Sequence, residues 1–503
     1  MNIHKVKYAR FSTFLVMLMS CFLLPYAGAE SQVTKISDTV VDSQALNGFI
    51  ASFQQDAVVT HNGWQYVTYY SANRYVCVAR RQLPSGLWQR LELTDYHFAS
   101  TDGHNVISMG ICPNDGTIHL SFDHHGSVLH YRISVAGIAT YPNAITWNAS
   151  LFGPVRQYLE VGKNVSGVTY PRFWQTPAGN LQMCYRIGGS GDGDIVLIDY
   201  DGNAGIWKNT RKVISRSGNY SDLCGANETS RNAYLNGPCY GDNGVLHLTW
   251  CWRESASGTN HDILHACSND GGFTWYNSAA PSRSTQVATG SGQTVQTMVN
   301  LLWTSTGPKI VGRSTDNPAT ELLISVLSEG ISAASITRYY GLMNQQTQAV
   351  DPQGRIHTVM WHCTDESYAY AQSLGYTNFG CNLWGPVVAR HYHHYWRDPA
   401  GTWHHNELPD FAGTRPKLFI RDNSDAFLIY QSQGSDLTIQ AATAAAQWTD
   451  WTVVHFEPGP FNNEMVGDPY RFKQQQILSV LVRDNPLAGA PTSPLRILDF
   501  QLQ

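Results

Sequence analysis

Only 14% of the 503 residues are charged, the formal net charge is −5, and Gly (43), Tyr (26) and Trp (15) are abundant. That balance argues against disorder, and against general attraction to nucleic acid or an anionic membrane, which needs a net basic face. It fits a rigid scaffold with aromatic surfaces suited to sugars, on which any polyanionic ligand has to be held by a local cluster of cations.

Lys5, Lys7 and Arg10 precede an apolar stretch from Phe11 to Leu24, and Ala27-Gly28-Ala29 supplies small residues before Glu30. This is the layout of a secretory leader covering residues 1–29, so the mature chain, 30–503, is expected to be secreted or periplasmic. The apolar stretch is short for a membrane span. Lipidation of Cys21 is the weaker alternative, because Met19 and the apolar run after Cys21 fit it poorly.

Beyond the leader, a turn cluster followed by a short apolar strand recurs seven times. The copies begin at Gly63, Gly116, Gly179, Gly244, Gly307 and Gly354 and, with Ser in place of Gly, at Ser424. Each interval has room for about four strands, as a propeller blade requires. His119, His247 and His357 each stand third after the Gly, which marks them as repeated core positions. The expected fold is an all-β, seven-bladed β-propeller. No Pro- or Ser-rich linker or charge block divides residues 30–503, so one domain and a monomer are expected. Strands near 475–483 and 495–502 lie past the seventh copy and are expected to complete a blade begun by residues 31–60, removing two free edges.

Ser268-Asn269-Asp270-Gly271-Gly272-Phe273-Thr274-Trp275 fits the Asp-box pattern, in which Asp and Ser bond turn amides and Trp packs between blades. It is a structural mark of sialidase-like propellers and says nothing about chemistry. Nine cysteines follow the leader. Some can pair in an exported protein, and the odd number leaves at least one thiol free or bound to metal. Cys112, Cys184 and Cys251 sit in apolar strands and read as small buried hydrophobes.

Asp102-Gly103-His104-Asn105 is followed by Asp123-His124-His125 at the end of the strand that starts near Gly116. Strand ends from neighbouring blades converge on one mouth of a propeller channel. Aligned by their turns, the copies bring Arg186 level with Asp123, and Arg253 one residue beyond the place of His124. Two Arg and two or three His therefore ring one opening.

Taken together, DGHNVISMGI, IHLSFDHH, VTYPRFW around Tyr170, MCYRIGG with Arg186, RNAYLNG with Tyr234, and HLTWCWRES followed by NHDILHACSNDGG resemble the BNR-repeat polysaccharide lyases, specifically the ulvan lyases. The resemblance runs from about residue 45 to 405. It implies a seven-bladed propeller that cleaves ulvan, a sulfated algal polysaccharide, by β-elimination beside a uronic acid, with no organic cofactor.

Such an elimination removes the weakly acidic C5 proton, so the uronate carboxylate is first neutralised, which a fixed guanidinium does better than an ammonium. Arg186 is the candidate. By resemblance His104 and Tyr170 form the acid–base pair, residue types able to give or take a proton at mildly alkaline pH. Which of them is the base is left open. His124 and Tyr234 are expected to orient the carboxylate or the neighbouring sugar, with His125, Tyr185, Arg231 and Arg253 as weaker choices. An ion pair of Arg186 with Asp192 or Asp194 is the bland alternative.

His265 and Cys267 point the same way from one strand, and His362-Cys363 ends the sixth copy; together these four offer a closed tetrahedral zinc. His261, His391, His393 and His394 are substitutes, and packed reduced thiols are the alternative. The resemblance also implies a structural metal and, in some members, calcium, for which no distinct loop is present. Two rival functions remain. A sialidase-like hydrolase needs three Arg around a carboxylate and a Tyr nucleophile with an acidic partner, but the characteristic Arg-Ile-Pro is missing. The other is a sugar-binding propeller without chemistry.

Overall fold

The structure, a computed structural model, describes residues 33–49, 56–225, 227–277, 309–315, 317 and 319–503. The expected leader, Cys21 and the Gly307 turn lie outside the described residues. The rest is all-β, built of short antiparallel strands with two short α-helices, Asp365–Ser373 and Pro469–Gln475. Among the described residues no helix is long and apolar enough to cross a membrane.

The recurring turn has a backbone reason. Gly63, Gly116, Gly179, Gly244 and Gly354 all take positive φ, between 64° and 79°, and Ser424 takes 69° in the equivalent place. That left-handed region is open to Gly at no steric cost. Each of these turns delivers a strand: Trp64–Tyr70, Ile118–Phe122, Leu181–Gly189, Leu246–Arg253, Ile356–His362 and Ala426–Gln431. The first, second, fifth and sixth are buried along their whole length, and polar residues within them such as Gln65, His119 and His357 are hydrogen-bonded inside the protein.

Three four-stranded meanders are separate sheets, spanning Val58–His97, Thr347–Phe411 and Lys417–Glu457, and Ile107–Ile133 supplies a three-stranded one. The groups from Val168 to Ile214 and from Asn232 to Asn277 share a larger sheet through a single parallel pair, Gly193 with Asn232. One expectation is corrected here. The Gly307 copy does not open a new sheet, because Ile310–Arg313 pairs with Thr274–Asn277 and extends the sheet of Leu246–Arg253. The chain ends meet as expected: Val33–Leu46 pairs with Thr492–Leu502, which pairs with Ile477–Asp484, and Phe461–Gly467 completes the four.

A cavity of about 730 Å³ is lined by side chains from sheets far apart in sequence, among them Val58, Met109, Trp174, Asn236, Gln348, Leu418 and Val466. The Asp-box has the structural role read from its pattern. Asp270 Oδ1 accepts from the amides of Phe273 (3.1 Å) and Thr274 (2.8 Å), Ser268 Oγ accepts from Gly272 N at 2.8 Å, and Trp275 is buried in one cluster with Ile195 and Leu197 of the preceding group. The repeated histidines are buried and bonded within the protein, His119 to Thr117 and Tyr131, His247 to His265, and His357 to His394. Cys112, Cys184 and Cys251 are buried thiols, and Cys224 bridges to Cys381 across 157 residues.

Candidate active site

Two irregularities aim the side chains. Asp123 has φ 59° and breaks the strand after Phe122, so that His124 turns into the core while His125 starts a short strand beside Val168–Gln175. Tyr170 has φ 56°, and the ladder to the next strand skips from Thr169 to Arg172, so Tyr170 and Pro171 bulge out of it. A bulky residue at positive φ is strained, and bulges of this kind redirect side chains beside active sites.

Thr169 pairs with His125 on one side and Arg186 on the other, making a row across three strands. Its hydroxyl accepts from Gly126 N at 2.8 Å and from Arg186 Nη2 at 3.0 Å. The Arg186 guanidinium lies 4.9 Å from the centre of the Tyr170 ring, and its Nε and Nη1 are buried donors with no acceptor. Asp192 and Asp194 pair with Arg216, and Asp194 also with Lys212, so the structural ion pair considered for Arg186 is not formed. A buried guanidinium left with open donors is costly unless an anion meets it.

Around this row the rings converge. Tyr170 lies 6.3 Å from His104 and 5.8 Å from Tyr234, centre to centre. The Tyr234 hydroxyl meets Ser190 Oγ at 3.1 Å and accepts from Arg253 Nη1 at 3.5 Å. His104 and His125 stack at 4.2 Å, and Asp102 joins them, one carboxylate oxygen to each Nδ1 at 2.5 Å. Their side chains are 43% and 36% exposed, enough for a substrate to reach. Burial opposes ionisation of Asp102, yet the His104 amide and the two imidazoles hold its carboxyl down at about 2. With Asp102 ionised, each Nδ1 carries the proton and Nε2 is left as the basic atom. The two phenols differ. Burial and the neighbouring Tyr234 push Tyr170 well above its ordinary value, whereas in Tyr234 burial is outweighed by Arg253, Ser190 and Arg186, and the phenol is held below it.

His104, Tyr170, Arg186, Tyr234, His125 and Arg253 therefore form one group. His124 is corrected: it is 1% exposed, its Nε2 sits 3.0 Å from Ser121 Oγ and its Nδ1 3.2 Å from Ser127 Oγ, and burial pushes it down to about 3. Its neighbour His125 occupies the place expected for it. Tyr185 is buried, and Arg231 is spent on Glu254 at 2.8 Å. Sequence reasoning missed Asp102, Ser190 and Thr169. Asp102 had a signal, an acid two residues before a candidate His; Thr169 had none, because its part depends on lying between two strands.

The BNR repeat-containing family model matches residues 64–411, more than two thirds of the chain. The chain is a BNR repeat-containing family member. It is similar to the long ulvan lyase isoform of Pseudoalteromonas sp. (strain PLSV), 26% identical over 196 residues that cover 31% of this chain and 19% of that protein. It is also similar to the short isoform of Alteromonas sp. (strain LOR), 25% identical over 208 residues, 33% of this chain and 39% of that protein. The matched stretch thus spans between about a fifth and two fifths of these relatives' length. Among solved structures, polysaccharide lyase Uly1 superposes with a TM-score of 0.66 at 16% identity, over 93% of this chain and 100% of that one. An ulvan lyase of family PL25 bound to -[GlcA(1-4)Rha3S]- gives 0.59 at 12%, over 92% and 95%.

In this BNR repeat-containing protein the expected zinc set does not assemble. Among the described residues, two groups of at least three His, Cys, Asp or Glu bring their donor atoms within 4.8 Å of one another: Asp102, His104 and His125, and His362, His393 and His405. His265 instead bonds His247, Cys363 Sγ faces Trp384 O at 3.9 Å, and neither they nor Cys267 join His362. An imidazole offers its lone pair in the ring plane, so parallel stacked rings cannot converge on one ion. His362 and His393 stack at 3.6 Å and 9°, and His104 and His125 at 4.2 Å and 20°. As they stand, neither group fits a metal, whereas two parallel rings suit the two oxygens of one carboxylate.

Proposed function

We propose that this protein is a polysaccharide lyase that cleaves ulvan by β-elimination at a uronic acid. The observation that carries the reading is the meeting of His104, Tyr170 and Arg186, from three distant segments, around a guanidinium with two open buried donors. Arg186 neutralises the uronate carboxylate and so acidifies the C5 proton. His104, its Nδ1 proton held by Asp102, takes that proton on Nε2. Tyr170, kept protonated by burial, gives its proton to the departing O4, and the C4–O4 bond breaks as the C4–C5 double bond forms. Tyr234 and Arg253 orient the carboxylate or the adjoining sugar. The names of the related lyases and of the ligand-bound structure support the substrate class.

The scaffold we propose is a seven-bladed propeller, supported by the cavity that strands of seven antiparallel groups line in common. In it Ile310–Arg313 is an outer strand of the fourth blade, and the seventh blade joins the two chain ends. Residues 30–503 form one domain of a monomer exported by the leader. For the structural zinc that the resemblance implies, the nearest donor set is His362, His393 and His405, reached only if His362 leaves its stack; no calcium site is assigned.

Incubation with purified ulvan tests the function. A rise in ultraviolet absorbance from a conjugated unsaturated uronate is expected. Saturated reducing ends would point to a hydrolase, and binding without cleavage to a lectin.

A further inference from the structure

A depression of about 490 Å³ lies where the Val58–His97 sheet meets the turn at 142–147. Its lining includes Trp64, Arg80, Gln89, Arg90, Asn143 and Trp147, and the complete lining contains two arginines and no acid. Arg90 is paired with Asp42 at 2.9 Å, so the unbalanced charge of the depression is that of Arg80.

Arg80 decides what the depression holds. It is 3% exposed, so its guanidinium sits below the rim, clamped between the Trp64 ring at 4.7 Å and the Trp147 ring at 4.4 Å. Its Nε donates to Gln89 Oε1 at 2.9 Å and its Nη2 to Ile145 O at 3.1 Å, both neutral acceptors. Trp147 Nε1 is buried without an acceptor, and beyond these two neutral oxygens the guanidinium has only the Tyr66 phenol against it, with no acid. Burial pushes the Tyr66 phenol up to about 12 against the charge and the hydrogen bond of Arg80, so it stays neutral and supplies no counter-charge. Several other buried arginines meet an acid: Arg81 and Arg471 meet Asp499, Arg211 meets Asp199, and Arg231 meets Glu254, whereas Arg483 is held by the amide oxygens of Asn47 and Asn462 and lines neither cavity. Arg80 shares its state with Arg186, a buried guanidinium on an aromatic face. Desolvating a guanidinium without a counter-charge is unfavourable, and an oxyanion would supply that charge and an acceptor for the Trp147 indole.

We infer that this depression is a second saccharide site, in which Arg80 and Trp147 receive an oxyanion, a sulfate ester or a carboxylate, carried by an acidic sugar. The inference does not require the lyase reading, since no bond is made or broken here. On a long acidic polysaccharide a second contact of this kind would raise retention on the polymer without altering the cleavage site.

Isothermal titration of the full chain carrying Arg186→Ala, which removes the open guanidinium of the candidate active site, tests it with glucose 6-sulfate, glucuronate, inorganic sulfate and glucose. One-site binding of glucose 6-sulfate or glucuronate is expected, with no heat from glucose, and the tighter of the two acidic sugars identifies the group recognised. Arg80→Lys should weaken it about tenfold or more, because the clamped planar fork is lost. Trp147→Phe, which keeps a ring and removes one donor, should weaken it about threefold and carries the test if Arg80→Lys does not fold. Equal affinity in a folded Arg80→Lys or Trp147→Phe protein, or no binding of either sugar by the parent, overturns the site. Binding of inorganic sulfate alone overturns the saccharide assignment. Absorbance assays on ulvan with Arg186 intact judge the lyase reading separately.

Discussion

Asp102, His104 and His125, and His362, His393 and His405, are chemically similar groups with opposite prospects. Each contains a stacked pair of imidazoles. In the first, a carboxylate takes both Nδ1 protons and the rings stay accessible. In the second, His362 donates to Cys363 O and accepts from the Tyr395 hydroxyl, and His393 Nδ1 is met by His405, so the nitrogens of the two buried rings are spent on the protein. Reactivity depends on which nitrogen is left over, which the number of histidines in a cluster does not reveal.

The sharpest way to break that contrast is to remove the chemistry from the first group. His104→Ala and Tyr170→Phe should each lower turnover on ulvan by about 10²–10⁴-fold with the fold intact by circular dichroism. Normal activity in Tyr170→Phe would remove the phenol from the acid–base pair. Arg186→Ala should reduce kcat and raise KM together, because it loses both carboxylate binding and acidification of the C5 proton.

Asp102→Asn probes the bridge itself. An amide presents one donor and one acceptor, so one imidazole must switch tautomer; turnover should fall roughly 10–100-fold, and the nitrogen chemical shifts of one of the two rings, His104 or His125, should move to the other tautomer's pattern. His405→Ala, by contrast, should leave kcat unchanged and lower stability by about 1 kcal/mol.

Stability against pH supplies a further contrast. Burial holds His119, His124 and His362 at about 3, so an unfolded chain binds protons below about 6.5 that the folded one refuses, and the melting temperature should fall as pH drops through that range. His261 has the opposite sign. Burial lowers it, but bonds to Asp262 and Glu254 overcome this and raise it to about 9. Its stabilisation is complete below about 6.5 and is lost as pH climbs through about 9. His261→Gln should flatten the alkaline limb alone; an unchanged limb would exclude this group as its source.

The all-β class, the core histidines and the Asp-box were legible because turn chemistry and strand burial are local: a left-handed φ calls for Gly, and a strand buried on both faces for an apolar run. The list from which His104, Tyr170 and Arg186 came was legible only through a family resemblance. What each neighbour of a candidate does was not legible, as His124 and His125 show; a positive φ at Asp123 determines which of two adjacent imidazoles turns inward. The fifth Gly copy failed for a related reason, since a turn followed by a strand is the same signal whether the strand opens a sheet or extends one. Pairing between segments hundreds of residues apart, the carboxylate shared by two rings, and a guanidinium left without an acid at Arg80 are products of packing, and only the tertiary structure could decide them.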